Sequence, residues 1–122
     1  MFKIYYAGNV SKPEVTEDRM DRTDWGNLMV DLRMGYKFYL ESGHENITPE
    51  NLNITHTHVH TLDVDSLEDA FMHSQGEFMS DEVREKVIST GATHTSMSVG
   101  DIAIDSESGE MFICDPVGWT LL

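Results

Sequence analysis

The chain contains few of the residues that stabilise secreted proteins or span membranes. Its 122 residues include one cysteine, Cys114, so no disulfide can form within the chain. A single cysteine is typical of a reducing compartment, and we therefore expect a cytoplasmic protein. The sequence has no run of about 18 apolar residues, so it predicts no membrane span and no membrane partner. The opening stretch MFKIYYAGNV is too short and too polar for a signal peptide, and we expect a strand there.

Basic residues are also scarce. Eight lysines and arginines stand against 22 aspartates and glutamates, which gives a formal net charge of −14. Such a chain repels nucleic acid and anionic lipid, so the composition argues against direct binding to a phosphate backbone. Two interpretations of the charge remain open: it keeps the protein in solution, or it complements a basic surface on a partner protein.

The sequence contains none of the common catalytic or nucleotide-binding motifs. Phosphate-loop, dinucleotide-binding and GxSxG patterns are all absent, so we predict no cofactor and no enzymatic activity. His94 lies near Ser96 and Ser98, but the pattern predicts a loop whose hydroxyls bond backbone groups. Asp101 follows a glycine and is expected to cap the turn into a strand. Cys114 alternates with apolar neighbours, which favours a place in the core.

The periodicity of the apolar residues predicts a small α+β domain. We expect a strand over residues 2–6, a helix over 24–41 and a long strand over 52–64. Two further helices begin after the capping residues Ser66 and Ser80, and the C-terminal tail forms two antiparallel strands and a short third. The predicted architecture is one domain with a mainly antiparallel sheet and about three helices packed on it.

The stretch ITHTHVH, residues 54–60, raises the question of a metal site. On a strand, His56, His58 and His60 would share one face, and two imidazoles at this spacing can reach one zinc ion. Zinc needs three or four ligands, and the sequence does not show which other residues would converge. Strand periodicity alone explains the pattern, so no metal is favoured and these three residues are the ligands only if a metal binds.

Eight methionines are many for this length. They fill gaps in a core or form an adaptable binding surface. Met72 and Met79 flank the helix break at Gly76, where we expect an exposed patch. The same helices are expected to turn Phe71 and Ile88 toward the core.

The C-terminal half resembles the YodL-like domain family over about residues 55–122. The similarity rests on the runs HTHVHTLDVDSLEDAF, QGEFMSDEVREKV, THTSMSVGDIAID and MFICDPVGWTLL. Within them lie a helix start at Leu67–Asp69, a turn at Ser96–Asp101 and a closing Gly-aromatic-x-x-Leu strand that begins at Gly118. Residues 1–50, a strand and a helix of unassigned type, have no counterpart.

The resemblance implies a small protein encoded by a bacterium, a phage or another mobile element. The family's named member is associated with inhibition of the bacterial actin-like cytoskeleton, and nothing marks the family as enzymatic. We therefore expect an acidic protein that binds and inhibits a host protein with a basic surface in the bacterial cytoplasm. The expected partner-binding residues are Glu14, Glu17, Asp18, Asp21, Glu77, Phe78 and Met79.

Three alternatives stay open at this point. The protein mimics nucleic acid and blocks a DNA- or RNA-handling enzyme, it uses the histidine strand as a metal-binding protein or metal-dependent enzyme, or it is a regulator that binds single-stranded nucleic acid. Pairing of a polar strand face across a homo-oligomer is a further possibility.

Overall fold

Five antiparallel strands form one sheet in the structure, a computed structural model. It describes residues 1–8, 22–90 and 96–122, and only the backbone of residues 22–25. The strands of this described part are β1 (Phe2–Ala7), β2 (His56–Leu62), β3 (Ile102–Asp105), β4 (Met111–Asp115) and β5 (Gly118–Leu121). Their order across the sheet is β2-β1-β3-β4-β5, and every neighbouring pair is antiparallel.

The N-terminal strand β1 holds the sheet together. It pairs with β2 along one edge and with β3 along the other. Its side chains alternate between two faces, so Phe2, Ile4 and Tyr6 enter one apolar cluster, while Tyr5 and Ala7 pack against a second. Residues 55–122 therefore form a continuous sheet only with residues from outside that range.

Helices cover both faces of the sheet. The helices of the described residues are α1 (Arg22–Met34), α2 (Tyr36–Glu41), α3 (Leu52–Thr55), α4 (Leu67–His73) and α5 (Asp81–Ser89). Leu28, Leu32, Tyr39 and Leu52 of the first three helices pack on the face of Tyr5. The last two helices bring Ala70 and Val87 onto the face of Phe2. The predicted α+β class is confirmed, with the sheet as the middle of three layers.

The predicted helix over residues 24–41 is divided in two. Gly35 adopts φ 124° and ψ 154°, which is outside the helical region and which residues with a Cβ rarely adopt. The amide of Tyr36, the first residue of α2, donates to Asp115 Oδ1 at 2.8 Å. A contact with β4 thus stabilises the break, and only tertiary structure supplies it.

The predicted strand over residues 52–64 is shorter than expected and irregular. Its first four residues form α3 instead. Within β2, Ile4 of the neighbouring strand faces His60 and Tyr5 faces His58, so Val59 is an extra residue in a β-bulge. A one-residue insertion reverses which face the following side chains occupy. The prediction that the three histidines share a face is therefore wrong.

The starts of the last two helices follow the sequence prediction. Ser66 accepts a hydrogen bond from the Asp69 amide at 3.2 Å, and Ser80 accepts one from the Val83 amide at 3.2 Å. Both serines therefore cap their helices as predicted. Among the described residues, no helix combines the length and the apolar character needed to cross a membrane.

Candidate interaction surface

A buried polar cluster lies where the turn before β3 meets β1 and α1. Asp101 is fully buried, and its Oδ1 accepts from the Ala7 amide at 2.8 Å and from Arg33 Nη1 at 2.9 Å. Its Oδ2 accepts from the Ser98 amide at 2.9 Å. The prediction that Asp101 caps this turn is confirmed, and the arginine adds an ion pair that the sequence did not indicate.

His56 belongs to the same cluster. Its Nε2 donates to the carbonyl oxygen of Gly100 at 2.7 Å, so in the neutral ring Nδ1 accepts from the Thr55 hydroxyl at 2.7 Å. Burial lowers the pKa of His56 to about 4, and the nearby Arg33 guanidinium also lowers it, against the opposite effects of the bond to Gly100 and of Asp101. The histidine therefore stays neutral and joins β2 to the turn.

The serines near this turn also have structural partners. Ser96 Oγ accepts from the Gly76 amide at 3.0 Å, and Ser98 Oγ accepts from Arg33 Nη1 at 3.0 Å. His94, which lies near these serines in the sequence, is outside the described residues. Cys114 is buried in the core as predicted, and burial raises the pKa of its thiol to about 11, so the thiolate nucleophile does not form near neutral pH.

The other two histidines of β2 lie on opposite faces of the sheet. His58 is exposed, and its ring lies 5.0 Å from that of Tyr5, centroid to centroid. His60 is 3% exposed, and neither ring nitrogen has a hydrogen-bond partner among the described residues. Burial lowers the pKa of His60 to about 4, with His58 and Lys86 acting in the same direction.

This arrangement argues against the conditional metal site on this strand. Histidines on opposite faces of a sheet cannot bind one ion, so His56, His58 and His60 do not form a ligand set. In the part of the chain that the structure describes, no group of three histidine, cysteine, aspartate or glutamate residues is placed to hold a metal.

A cleft of about 310 Å³ is lined by residues of α1, α2 and α3 and of the loop between α2 and α3. At its rim His44 Nε2 bonds Asp31 Oδ2 at 2.7 Å, and the His44 ring lies 4.7 Å from that of Tyr39. A histidine held by a carboxylate can transfer a proton. The residues that line the cleft include neither serine nor cysteine, and the Thr55 hydroxyl is already bonded to His56. Sequence reasoning missed this pair, because His44 and Asp31 meet only through the packing of α1 against the following loop.

The outer surface of α4, α5 and the turn between them is rich in exposed acidic side chains. All of residues 66–89 are described, and six acidic residues among them are exposed. We call this surface the acidic helix face, and its acids are Glu68, Asp69, Glu77, Asp81, Glu82 and Glu85. Of its two basic residues, Arg84 is half-buried and donates to the Gly76 carbonyl oxygen at 2.6 Å, and Lys86 lies 3.6 Å from Glu82.

Exposed apolar side chains lie among these acids. Phe78 is 59% exposed and Ile88 58%, and Phe71 and Met72 are also exposed. The predictions that Phe71 and Ile88 face the core are therefore wrong, because Ala70 and Val87 occupy the core-facing positions of these short helices. This combination of charge and apolar surface is typical of protein-binding sites.

The predicted partner-binding residues differ in their exposure in the structure. Glu77 and Phe78 are exposed on the acidic helix face. Met79 is buried, with 6% of its surface accessible, so its assignment as a partner contact is wrong. The turn after α4 buries the Met79 side chain, whereas Glu77 and Phe78 of the same turn stay exposed. The predicted contacts at Glu14, Glu17, Asp18 and Asp21 lie outside the described residues.

Comparisons with known proteins give no family for this chain. No family model matches it, and neither the curated proteins nor the solved structures contain a match. The resemblance to the YodL-like domain therefore stays a prediction.

Proposed function

We propose that this protein is a small, non-enzymatic interaction protein that binds a basic surface of a host protein and inhibits it. Its origin in a phage or another mobile element is part of the proposal and rests on the sequence resemblance. One structural observation carries the binding role: the acidic helix face, whose six exposed acids lie in the same two helices and turn as exposed Phe78 and Ile88. Charge of one sign guides a partner of opposite charge, and the apolar side chains add contact area once it has docked.

The internal polar groups support the same proposal. Asp101, His56 and Ser98 are polar residues that could in principle serve in catalysis. In the structure their side chains form hydrogen bonds within the fold. The outer surface of α4 and α5 is instead available to a partner.

The proposal is tested by capture from bacterial lysate with tagged protein. The test variant replaces Glu68, Glu77, Glu82 and Glu85 by glutamine. The control variant replaces Glu41, Glu50, Glu107 and Glu110, which are also exposed and belong to other elements of the fold. Each set includes one partner of an i,i+4 ion pair, Glu82 with Lys86 and Glu41 with Lys37, so the two variants lose the same charge and the same type of contact.

We expect the wild type and the control variant to capture one host protein at low salt, and the test variant to lose it. Binding should weaken as salt is raised from about 0.05 to 0.5 M, because screening shortens the reach of exposed charges. Equal capture by the test variant contradicts the proposal. Release of the captured protein by added DNA or RNA identifies the partner as a nucleic-acid-binding protein and supports the mimic form of this function.

A further inference from the structure

We infer that β5 is a docking edge for an extended, basic segment of the partner protein, which adds a strand to the sheet. This inference rests on the proposed function, since it takes the partner to be a protein with a basic surface. It places the contact at a defined edge and gives the partner segment a conformation.

Within the described part of the chain, no strand pairs with the outer edge of β5. The strand lies at the end of the sheet, and among the described residues it pairs with β4 alone. The Leu122 amide donates to the Met111 carbonyl oxygen at 2.9 Å, toward β4. Because backbone groups alternate in direction along an antiparallel strand, those of Trp119 and Leu121 point away from β4, to the outside of the sheet.

The sequence of β5 gives this edge little protection. Natural edge strands are blunted by charges, prolines or bulges, and β5 reads GWTL, without any of them. The opposite edge strand, β2, has a bulge at Val59. The short length of β5 is the one such protection in its sequence, so another extended chain can pair with this edge.

Apolar side chains and the acid Glu68 lie on the side of this edge that α4 covers. Leu121 is 55% exposed, and the Trp119 ring meets that of Phe71 edge-on at 6.4 Å. Met72, which follows Phe71 on α4, is 40% exposed. Glu68 lies three and four residues before Phe71 and Met72 on α4, so its exposed carboxylate stands on the same side of the helix.

Charge complementarity selects the occupant. A second copy of this chain would bring another net charge of −14 to a protein that already carries −14, and to an edge near Glu68. A segment with apolar side chains toward Trp119 and Leu121, and with lysine or arginine near Glu68, satisfies the backbone, the apolar surface and the charge together. The occupant is therefore a basic extended segment of a different protein.

The test uses two synthetic peptides with the same Val-Thr-Val-Thr-Val centre. One has two lysines at each end and the other has two glutamates. Backbone amide hydrogen exchange of the full chain is followed by NMR at low salt. We expect the lysine peptide to slow exchange at the Trp119 and Leu121 amides by about tenfold, and the glutamate peptide to leave both unchanged.

Two variants locate the effect. Leu121→Lys places a charge on the edge without removing a backbone donor, and should abolish the protection by the lysine peptide. Val30→Lys makes the same change at a 62% exposed site on α1 and should leave the protection intact. The exchange pattern of the remaining strands shows that both variants are folded.

Unchanged exchange at both amides with the lysine peptide overturns the inference. Equal protection by both peptides overturns the basic occupant, and protection that appears without peptide as the protein is concentrated identifies a second copy instead. If the glutamine variants confirm partner binding while the β5 amides stay unprotected, the proposed function stands and the docking edge falls. Protection of β5 with no host protein captured from lysate leaves the docking edge supported and the proposed function contradicted.

Discussion

Two buried histidines with different surroundings dominate the chemistry of β2. His56 has a partner at each ring nitrogen, whereas His60 has none among the described residues. Both are neutral, because an imidazolium ion in an apolar interior loses its hydration without gaining an ion-pair partner. Each is followed by a threonine and both lie on the same strand, so the difference comes from the bulge that turns one ring toward the turn before β3 and the other to the opposite face of the sheet.

Because folding lowers the pKa of both histidines, we expect the protein to lose stability in mild acid. The pKa of each falls from 6.5 to about 4 on folding, so below pH 6.5 the unfolded state binds more protons than the folded state. Their stabilising effect is complete above pH 6.5 and is lost as the pH falls toward 4. Each histidine contributes up to about 3 kcal/mol to the free energy of unfolding over this range. Urea unfolding at pH 7.5, 6, 5 and 4.5 measures it.

A His60→Leu variant separates the two histidines. Leucine removes a buried polar group that has no partner, so we expect the variant to be more stable than the wild type at pH 7.5. Its loss of stability between pH 6.5 and 4.5 should be roughly half that of the wild type, because His56 still titrates. An identical pH profile in the two proteins would show that His60 is not the source.

Asp101 is the residue whose loss should be most damaging. Asparagine has the same shape, but it lacks the charge that faces Arg33, and its amide group would oppose one of the backbone donors from Ala7 or Ser98. We expect Asp101→Asn to lower the free energy of unfolding by about 3 kcal/mol, as for other broken buried ion pairs. Chemical denaturation at pH 7.5 measures the change. Asp63→Asn, at an exposed site, should change stability by less than about 0.5 kcal/mol.

At the scale of elements, capping residues determine where α4 and α5 begin, and a tertiary contact stabilises the break between α1 and α2. Ser66 and Ser80 cap helices where the sequence predicts them, since a capping bond joins residues three apart. Gly35 weakens any helix, but the contact between Tyr36 and Asp115 determines that the helix ends there. Those two residues lie 79 positions apart, beyond the reach of any periodicity.

The caps give a prediction for α4 and α5. Ser66→Ala and Ser80→Ala each remove the acceptor for one amide in the first helical turn. We expect each to lower the free energy of unfolding by about 1 kcal/mol, and the two effects to add in the double variant. Thermal and urea unfolding measure the change, with Ser106→Ala in an exposed turn as the control. A double variant as stable as the wild type would mean that sheet packing alone determines where these helices begin.

At the scale of the whole molecule, net charge opposes the compact state. Folding brings acidic side chains together, and a net charge of −14 repels itself more strongly in the folded protein than in the unfolded chain. We expect the urea midpoint to rise as sodium chloride is increased from about 0.01 to 0.5 M, since the ions screen this repulsion.

The glutamine variants provide the check on this salt effect. Each lowers the magnitude of the net charge by four, from −14 to −10. Both variants should therefore show a smaller rise in midpoint than the wild type, and the same rise as each other. A salt effect confined to the acidic helix face would instead indicate local repulsion there.

The sequence by itself determined the features that depend on neighbouring residues or on simple sums. These are the net charge, the two helix caps, the antiparallel strands of the tail and the turn held by Asp101, because a cap, a hairpin or a turn joins residues a few positions apart. Tertiary structure alone decided the insertion of β1 between β2 and β3, the bulge at Val59 and the pairing of Arg33 with Asp101. Each of these brings together residues tens of positions apart, and their energies come from packing and burial that no local pattern records. The same reason explains why the sequence predicts three histidines on one strand face, whereas the fold has His56 and His60 buried and His58 exposed.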